Sequence, residues 1–329
     1  MTYTLKDYSD SLDPSKDFIK KGVIETFRRA SPIMNELTFE TTGTLKVDYI
    51  RTKSLPTVTW RKVGANFTES KALTEPLQEK IHFCGGYIDV PKEYVKATDQ
   101  LYNVRAYQSE MFVKSMAYSW NDVFINGSPE VNEDQMIGLT YRINKDLAAA
   151  QKIIATATTG LDVSPDATSL STNQATLINQ IHRLIHACDD HTCNMLLMND
   201  SMYLALMDAI RHSGLLNTTK DNYGDVWPTF GAGGPKIIDL GYKADQTTKI
   251  ITDTETVAGV LTGGAMTSIY AVKTGEPGYV KGWQFAPIDA MDMGLLESGV
   301  AYRTIVDWGV GLIFANPRSI ARLYAITAA

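Results

Sequence analysis

The stretch between Pro91 and Gly127 restricts the fold more than any other, because it contains neither glycine nor proline. Pro91 suits a helix start, and Asn126-Gly127 is a stop signal. Two apolar series at helical spacing run between them. Ala97, Leu101, Val104, Met111, Tyr118 and Ile125 form one, and Tyr102, Ala106, Val113, Ala117, Trp120 and Phe124 form the other. A single helix over 92–126 would be roughly 50 Å long, at 1.5 Å per residue. A helix that is apolar on two faces should be covered on two sides. Lys92, Glu93, Lys96, Asp99, Arg105, Glu110 and Lys114 interrupt the stripes too often for a membrane span. The stretch reads as a spine.

The 329 residues are enough for a large core and more than one domain. Apolar residues make up 44 % and charged residues 21 %, an ordinary globular balance. A net charge of −6 argues against a broadly basic nucleic-acid binder, although it leaves room for a locally basic face. The polar start MTYTLKDYSDSLDPSKDF does not have the pattern of a signal peptide, and three cysteines do not make a disulfide framework. These features predict a soluble protein made in the cytoplasm.

Residues 1–43 read as an arm. Asp13-Pro14-Ser15 is placed to open a short amphipathic helix carrying Phe18, Ile19, Val23, Ile24 and Phe27, with Lys16, Lys20, Lys21, Arg28 and Arg29 among them. That basic patch is either a solvated face or a contact for an acidic partner. Next, Leu45, Val47 and Tyr49 alternate with polar residues, and Val58 to Val63 is strongly β-prone. After a turn at Gly64-Ala65-Asn66 the chain returns through Ile81 to Val90. This predicts a long two-stranded excursion with Arg61, Lys62, Glu69, Lys71 and Glu75 at its tip. An isolated hairpin is marginal in water, so a neighbouring subunit is the expected support.

Beyond the spine, a linker over 160–172 precedes an α/β unit. Thr172-Asn173 is positioned to cap a helix carrying Leu177, Ile181 and Leu184, Asn194 to Met198 reads as a buried strand, and Asp200-Ser201 is placed to cap a second helix ending near Gly214. Strands are expected at Lys236 to Leu240, Lys249 to Ile251 and Thr267 to Val272. Gly282 to Phe285 and Ala301 to Phe314 alternate as sheet strands near the end.

Candidate chemistry is thin. Cys188-Asp189-Asp190-His191-Thr192-Cys193, with His182 and His186 upstream, is the nearest thing to a metal site, but structural zinc wants two separated ligand pairs. Gly231-Ala232-Gly233-Gly234-Pro235-Lys236 has the glycines of a phosphate loop without its Gly-Lys-Ser/Thr ending. Asp253-Thr254-Glu255 has the wrong spacing for a calcium hand, and no Gly-x-Ser-x-Gly elbow occurs. No catalytic, cofactor or metal residue is assigned, and no enzymatic activity is expected.

The order of parts resembles the major capsid protein family of tailed bacteriophages, the Hong Kong 97-like fold. The most family-like wording is FVKSMAYSWNDVFINGS (Phe112 to Ser128) and DWGVGLIFANPRSIARL (Asp307 to Leu323). The resemblance implies an α+β fold with an N-terminal arm (1–43), an extended β-hairpin E-loop (44–80), a P-domain with its spine helix (81–160, helix 92–126), an A-domain (161–285), and a return segment completing the P-domain (286–329). It implies hexamers and pentamers forming an icosahedral head around double-stranded DNA, in a virion assembled in the host cytoplasm. A separate scaffolding protein, a portal protein and a decoration protein are its implied partners, with no cofactor and no membrane. The inter-subunit contacts would come from Phe18, Arg28 and Arg29 of the arm and from Trp60, Arg61, Lys62, Phe67, Glu69 and Lys71 of the hairpin. Packaged DNA repels an acidic lining, so the local basic residues of the arm and of the spine would face inward. Some relatives join a hairpin lysine to a P-domain asparagine; Lys62, Lys71 and Asn316 are the matching positions, and the assisting carboxylate must come from elsewhere. The runner-up readings are an encapsulin-type nanocompartment shell, which shares the fold, and a soluble enzyme with an unrecognised site in the α/β unit.

Overall fold

The computed structural model describes residues 2–3, 18–97, 103–146, 149–156, 160–220, 224–256, 266–275 and 278–328. Its strands are β1 (Thr2–Tyr3), β2 (Phe39–Thr41), β3 (Lys46–Ser54), β4 (Leu73–Lys80), β5 (His82–Pro91), β6 (Lys152–Ile154), β7 (Leu161–Asp162) and β8 (Met195–Met198), followed by β9 (Leu216–Lys220), β10 (Val226–Phe230), β11 (Lys236–Asp239), β12 (Thr267–Val272), β13 (Val280–Gln284), β14 (Asp289–Leu295), β15 (Ala301–Phe314) and β16 (Ile320–Thr327). The α-helices are α1 (Phe18–Ala30), α2 (Lys92–Lys96), α3 (Val104–Asn126), α4 (Leu139–Asp146), α5 (Leu170–Ala187) and α6 (Asp200–Ser213).

The spine is shorter than the sequence predicts. Ala97 leaves the helical region (ψ 132°), and α3 begins only after Asn103, whose side chain accepts a hydrogen bond from Ala106 N at 3.3 Å. One helix over 92–126 is therefore replaced by a single turn and a 23-residue helix, about 34 Å long. No residue of α2 is buried, and a short helix without a packed face has little to sustain it. Only one face of α3 is fully covered, by the stripe Val113, Met116, Ala117, Trp120, Asn121 and Phe124, with Ile125 beside it. Met111 and Tyr118 of the other series are only half-buried.

That stripe packs with α1 against a six-stranded sheet ordered β1-β2-β13-β15-β14, with β5 on the other side of β15. Trp308 of β15 is the centre of this core. Its ring lies 5.5 Å from Phe27 edge-on, 5.5 Å from Phe39 and 6.3 Å from Trp120, and its indole N–H donates to Gln284 Oε1 at 3.2 Å.

The second sheet runs β6-β16-β12-β8-β11-β10-β9, with β7 also on β16. Helices α5 and α6 cover one face through Leu177, Ile181, Leu184, Met202, Leu206 and Ile210. Met195, Leu197, Tyr270 and Ile320 on its other face join the core around Trp308. A strand buried on both faces needs a continuous apolar run, which explains Met-Leu-Leu-Met at 195–198.

Several boundaries move. The return segment divides between the sheets: β14 and β15 belong with the spine, whereas β16 pairs antiparallel with β12 and parallel with β6 in the α/β unit. Conversely β13, expected inside the α/β unit, pairs with β15 and β2. Lys249 to Ile251 is no strand; Lys249 makes one bridge to Tyr242, and the isoleucines are simply buried. The helix caps are Ser169 and Asn199 in place of Thr172-Asn173 and Asp200-Ser201. Asn199 Oδ1 accepts from Met202 N at 3.0 Å, and Gly214 ends α6 at φ 70° as expected. Asp13-Pro14-Ser15 lies outside the described residues.

Candidate subunit interface

Strand β4 runs into β5 with only Ile81 between them, so the hairpin β3–β4 leaves the first sheet as a projection. Its register runs from Lys46↔Lys80 to Ser54↔Leu73. Cross-strand charge pairs support it where hydrophobic burial does not. Arg51 meets Glu75 at 3.0 Å, Lys53 meets the same carboxylate at 3.3 Å, and Gln78 donates to Asp48 at 2.8 Å. Arg51 and Lys53 hold the Glu75 carboxyl below its usual range.

The root of the hairpin is fixed by a group that sequence reasoning missed. Arg142, buried on α4, donates to Glu79 Oε1 at 2.7 Å, to Ile137 O at 3.2 Å and to Leu312 O at 3.4 Å, and its guanidinium lies 5.0 Å from the Phe314 ring. Glu79 also accepts from the Tyr49 hydroxyl at 3.2 Å. Burial pushes the Tyr49 phenol up to about 12. The only sequence signal was one arginine in the otherwise amphipathic helix LTYRINKD.

The tip behaves differently. Val58 to Val63 forms no strand, because the ladder stops at Ser54↔Leu73; beyond it the described loop has a turn at Val63-Gly64 and one cross-loop hydrogen bond, from Thr57 N to Ser70 Oγ at 2.7 Å. Trp60 is 98 % exposed and Phe67 is 67 % exposed, with Leu55, Val58 and Val63 also in solvent. Arg61 arches over Phe67 at 4.8 Å and donates to Ala65 O at 3.1 Å. Lys62 is exposed, and Glu69 pairs with Lys71 at 3.4 Å in full solvent. A surface pair of that kind contributes little. Six of the expected contact residues, Trp60, Arg61, Lys62, Phe67, Glu69 and Lys71, are thus gathered on one projecting loop.

The arm residues are not gathered with them. Arg28 is committed to its own chain, meeting Glu25 at 3.0 Å and Asp225 at 2.9 Å, and hydrogen bonding to Glu25 first and Asp225 second keeps its pKa raised. Arg29 meets Glu25 at 3.0 Å from an exposed position. Phe18 opens α1, and its side chain lies outside the described residues. The arm instead ties the molecule together: Lys236 pairs with Glu36, and Lys281 with Glu40 at 2.7 Å.

The remaining polar clusters have structural explanations. Cys188 is core, and among the described residues no group of three potential metal ligands occurs. Asp189 accepts from Asn316 Nδ2 at 2.7 Å, while Asp190 meets Lys273 at 3.1 Å and the Tyr279 hydroxyl at 2.9 Å. A carboxylate therefore does stand beside Asn316. The asparagine's oxygen also accepts from Arg318 N at 2.9 Å, so both ends of its amide are engaged in holding the turn into β16. Ser201 and Lys249 are 2.6 Å apart, a spacing suited to a nucleophile and base. Lys249 also meets Asp200 at 2.6 Å and Asp253 at 2.5 Å. Although burial opposes its charge, those two carboxylates raise its pKa, so it is an ammonium and cannot act as the base. In the glycine-rich turn, Gly231 and Gly233 have φ of 79° and 69°, which accounts for them without a phosphate. Among the described residues no helix is long and apolar enough to cross a membrane.

A spine helix laid on one sheet, an α/β unit sharing its core and a projecting hairpin define the Hong Kong 97-like class of shell proteins, and solved structures show the same fold. The holo-SrpI encapsulin of Synechococcus elongatus matches with a TM-score of 0.61 at 13 % identity, covering 92 % of this chain and 90 % of that one. A Mycobacterium phage Bobi structure matches at 0.58 and 12 % identity, covering 91 % of each chain. The capsid of a native GTA particle matches at 0.56 and 12 % identity, covering 90 % of each. No curated protein matches the sequence. The model of the family "Major capsid protein GP7" matches residues 14–214, and the chain belongs to that family. It is a capsid shell protein, and its place is the virion capsid.

Proposed function

We propose that this chain assembles into hexamers and pentamers that close an icosahedral phage head around double-stranded DNA. The observation that carries this reading is the hairpin, which is anchored by a buried ion pair at its root and exposes tryptophan, phenylalanine and unpaired basic residues at its tip. An apolar tip that its own chain leaves bare is suited to a neighbour, and ring contacts between unlike surfaces close by rotation. The segments named from the resemblance keep their roles here: 1–43 as arm, 44–80 as E-loop, 81–160 as P-domain, 161–285 as A-domain and 286–329 as return, with β13 and β16 crossing those borders. DNA is held without sequence specificity. Arg28 is paired with Glu25 and Asp225 within the chain, so the contact falls to Arg29 and the other basic residues of the arm and spine. A separate scaffolding protein sets the size, a portal protein takes one vertex, and a decoration protein has the outer surface available.

Size-exclusion chromatography with electron microscopy tests this, on the protein alone and with its scaffold. Rings of five or six, or shells, are expected, and a strictly monomeric protein under all conditions would overturn the reading. Closed shells from the coat protein alone would remove the scaffold. The nanocompartment alternative draws on one specific feature, a cleft of about 530 Å³ between α1, the start of α3 and β14, lined by Val23, Thr26, Ala106, Ser109 and Val113, of a size to take a short peptide. Small shells that copurify a second protein and exclude DNA would favour it.

A further inference from the structure

We propose that Cys188 and Cys193 are a redox-sensitive pair, two thiols in the newly folded subunit that a small disulfide oxidant converts to an internal disulfide. The pair lies within one subunit, so it stands apart from the assembly contacts and can be read whether or not particles form.

The turn between the two residues is what brings them together. Cys188 leaves α5 in an extended conformation (φ −73°, ψ 162°). His191 N then donates to Cys188 O at 3.2 Å, and Thr192 N to Asp189 O at 3.3 Å. Asp190 and His191 both take left-handed angles, φ 52° and 56°, which residues with a side chain adopt at a cost. That reversal returns the chain toward the end of α5 before β8 begins. Cys193 packs onto the core that contains Cys188, and the two thiols are in hydrogen-bond contact. Cys188 Sγ donates to Leu184 O at 3.8 Å, so its own proton is committed and the Cys193 thiol is the donor between them.

Sulfur atoms already in contact meet the first requirement of a disulfide. Contacts around the turn hold them there. Lys273 Nζ donates to Asp189 O at 2.8 Å and meets Asp190 at 3.1 Å, while Asn316 holds the Asp189 carboxylate. The His191 ring stacks on His186 with centroids 4.8 Å apart. Two groups held in this way react as if at very high concentration. The third cysteine, Cys84, packs against the other core, around Trp308, and does not compete.

The two sulfurs differ in access. Cys188 is fully buried, whereas Cys193 is only partly so. Cys193 therefore meets the oxidant first. Its thiolate attacks one sulfur of the small disulfide, and the departing thiolate takes up the proton that Cys193 lost. Cys188 then attacks the Cys193 sulfur of this mixed disulfide and expels the second small thiol, which takes the Cys188 proton. Two protein thiols are oxidised and one small disulfide is reduced to two thiols. The hydrogen bond to Cys188 and then burial raise the Cys193 pKa, against the Lys273 ammonium, so the first step is slow. Slow exchange suits a pair that stays reduced while the chain folds in a reducing compartment and closes in a virion outside it. The bond ties the end of α5 to the start of β8. It thereby fixes the turn whose carboxylates hold Lys273, Tyr279 and Asn316.

The test uses the full-length protein, as free subunits and as particles, incubated with oxidised glutathione without denaturant. After alkylation in denaturant and tryptic digestion, both cysteines fall in one peptide, residues 184–211, and Cys84 in another. The 184–211 peptide is expected to be two hydrogens lighter and unalkylated, while the Cys84 peptide is alkylated. The oxidised subunit should melt about 5 °C above the reduced one, and dithiothreitol should restore the starting midpoint. Cys193→Ser, a near-isosteric change at a partly exposed site, should stay folded by circular dichroism and show neither the mass loss nor the shift. Both thiols alkylated after oxidation would overturn the proposal. Glutathione left on Cys193 would do the same, since Cys188 would then be out of reach. A disulfide that leaves the midpoint unchanged, or a midpoint shift that persists in Cys193→Ser, also overturns it.

Discussion

Arg142 and Glu79 show how one residue pair can set the geometry of an element that is otherwise on its own. Both are largely removed from water, so deleting one leaves the other charged and unpaired. Arg142→Ala is expected to cost about 3–5 kcal/mol, the usual penalty for breaking a buried ion pair, as read by urea denaturation of the free subunit. A loss under 1 kcal/mol would mean that water reaches the pair. Tyr49, on the same carboxylate, makes the root sensitive to alkali. Its folded pKa of about 12 lies above the ordinary value of 10. The folded state therefore holds its proton where the unfolded chain releases it, so the contribution is fully present below pH 10 and is lost as pH rises from 10 to 12. Tyr49→Phe should abolish that part of the alkaline decline in stability, and an unchanged profile would assign the decline to other groups. Gly282 is constrained by packing alone. A Cβ there would lie 2.3 Å from the Phe39 ring, which Trp308 holds in place. Gly282→Ala should destabilise by about 1–3 kcal/mol through overpacking, and calorimetry showing no change in midpoint would contradict it.

At the scale of elements, what the sequence disclosed follows from what each residue packs against. The buried stripe of α3, the helix carrying Leu177, Ile181 and Leu184, and the strand Met195–Met198 were legible because burial imposes a period or a run. The break at Ala97 was not, since α2 carries good helix formers and stops for want of a core rather than for want of propensity. Val58 to Val63 misled for the same reason in reverse: β-propensity measures fit to a half-buried pleated surface, and the tip has no such surface in its own chain. The exchange of β13 and β16 between sheets was hidden because pairing partners lie far away in sequence. Of the candidate site, the loop residues were legible as an excess of charge and aromatics, whereas Arg142 gave almost no signal. Trp308 tests the element scale. It joins α1, β2, α3 and β15 by ring contacts, so Trp308→Ala should cost about 3–5 kcal/mol. It should also loosen α1 from the sheet, read as faster hydrogen exchange over residues 22–30, and protection at the wild-type level would show that α1 is held by its salt bridges instead.

For the whole molecule, folding and assembly draw on different residues, and the hairpin separates them. Everything up to Ser54↔Leu73 is paired, charged-bridged or anchored through Glu79, while residues 55–72 contribute no strand pairing and no buried apolar side chain to their own subunit. Removing the tip should therefore leave the subunit intact. Replacing 55–72 by Asn-Gly closes the same register with a tight turn that suits the twist of the two strands. The shortened protein is expected to keep its thermal midpoint to within about 2 °C, since surface changes away from core features usually stay within about 0.5 kcal/mol. The same protein should remain subunits where the full chain forms rings or shells, seen by light scattering and electron microscopy. Normal shells from the shortened chain would show that the tip is dispensable and would move the assembly contacts to the arm or the α/β unit. Loss of the thermal midpoint would show instead that the exposed aromatics turn back onto their own subunit in solution. Only the combination of an unchanged monomer and absent assembly assigns Trp60, Arg61, Lys62 and Phe67 to the neighbour, because a residue that stabilises nothing in its own subunit yet exposes this much apolar surface has its favourable energy in the contact between copies.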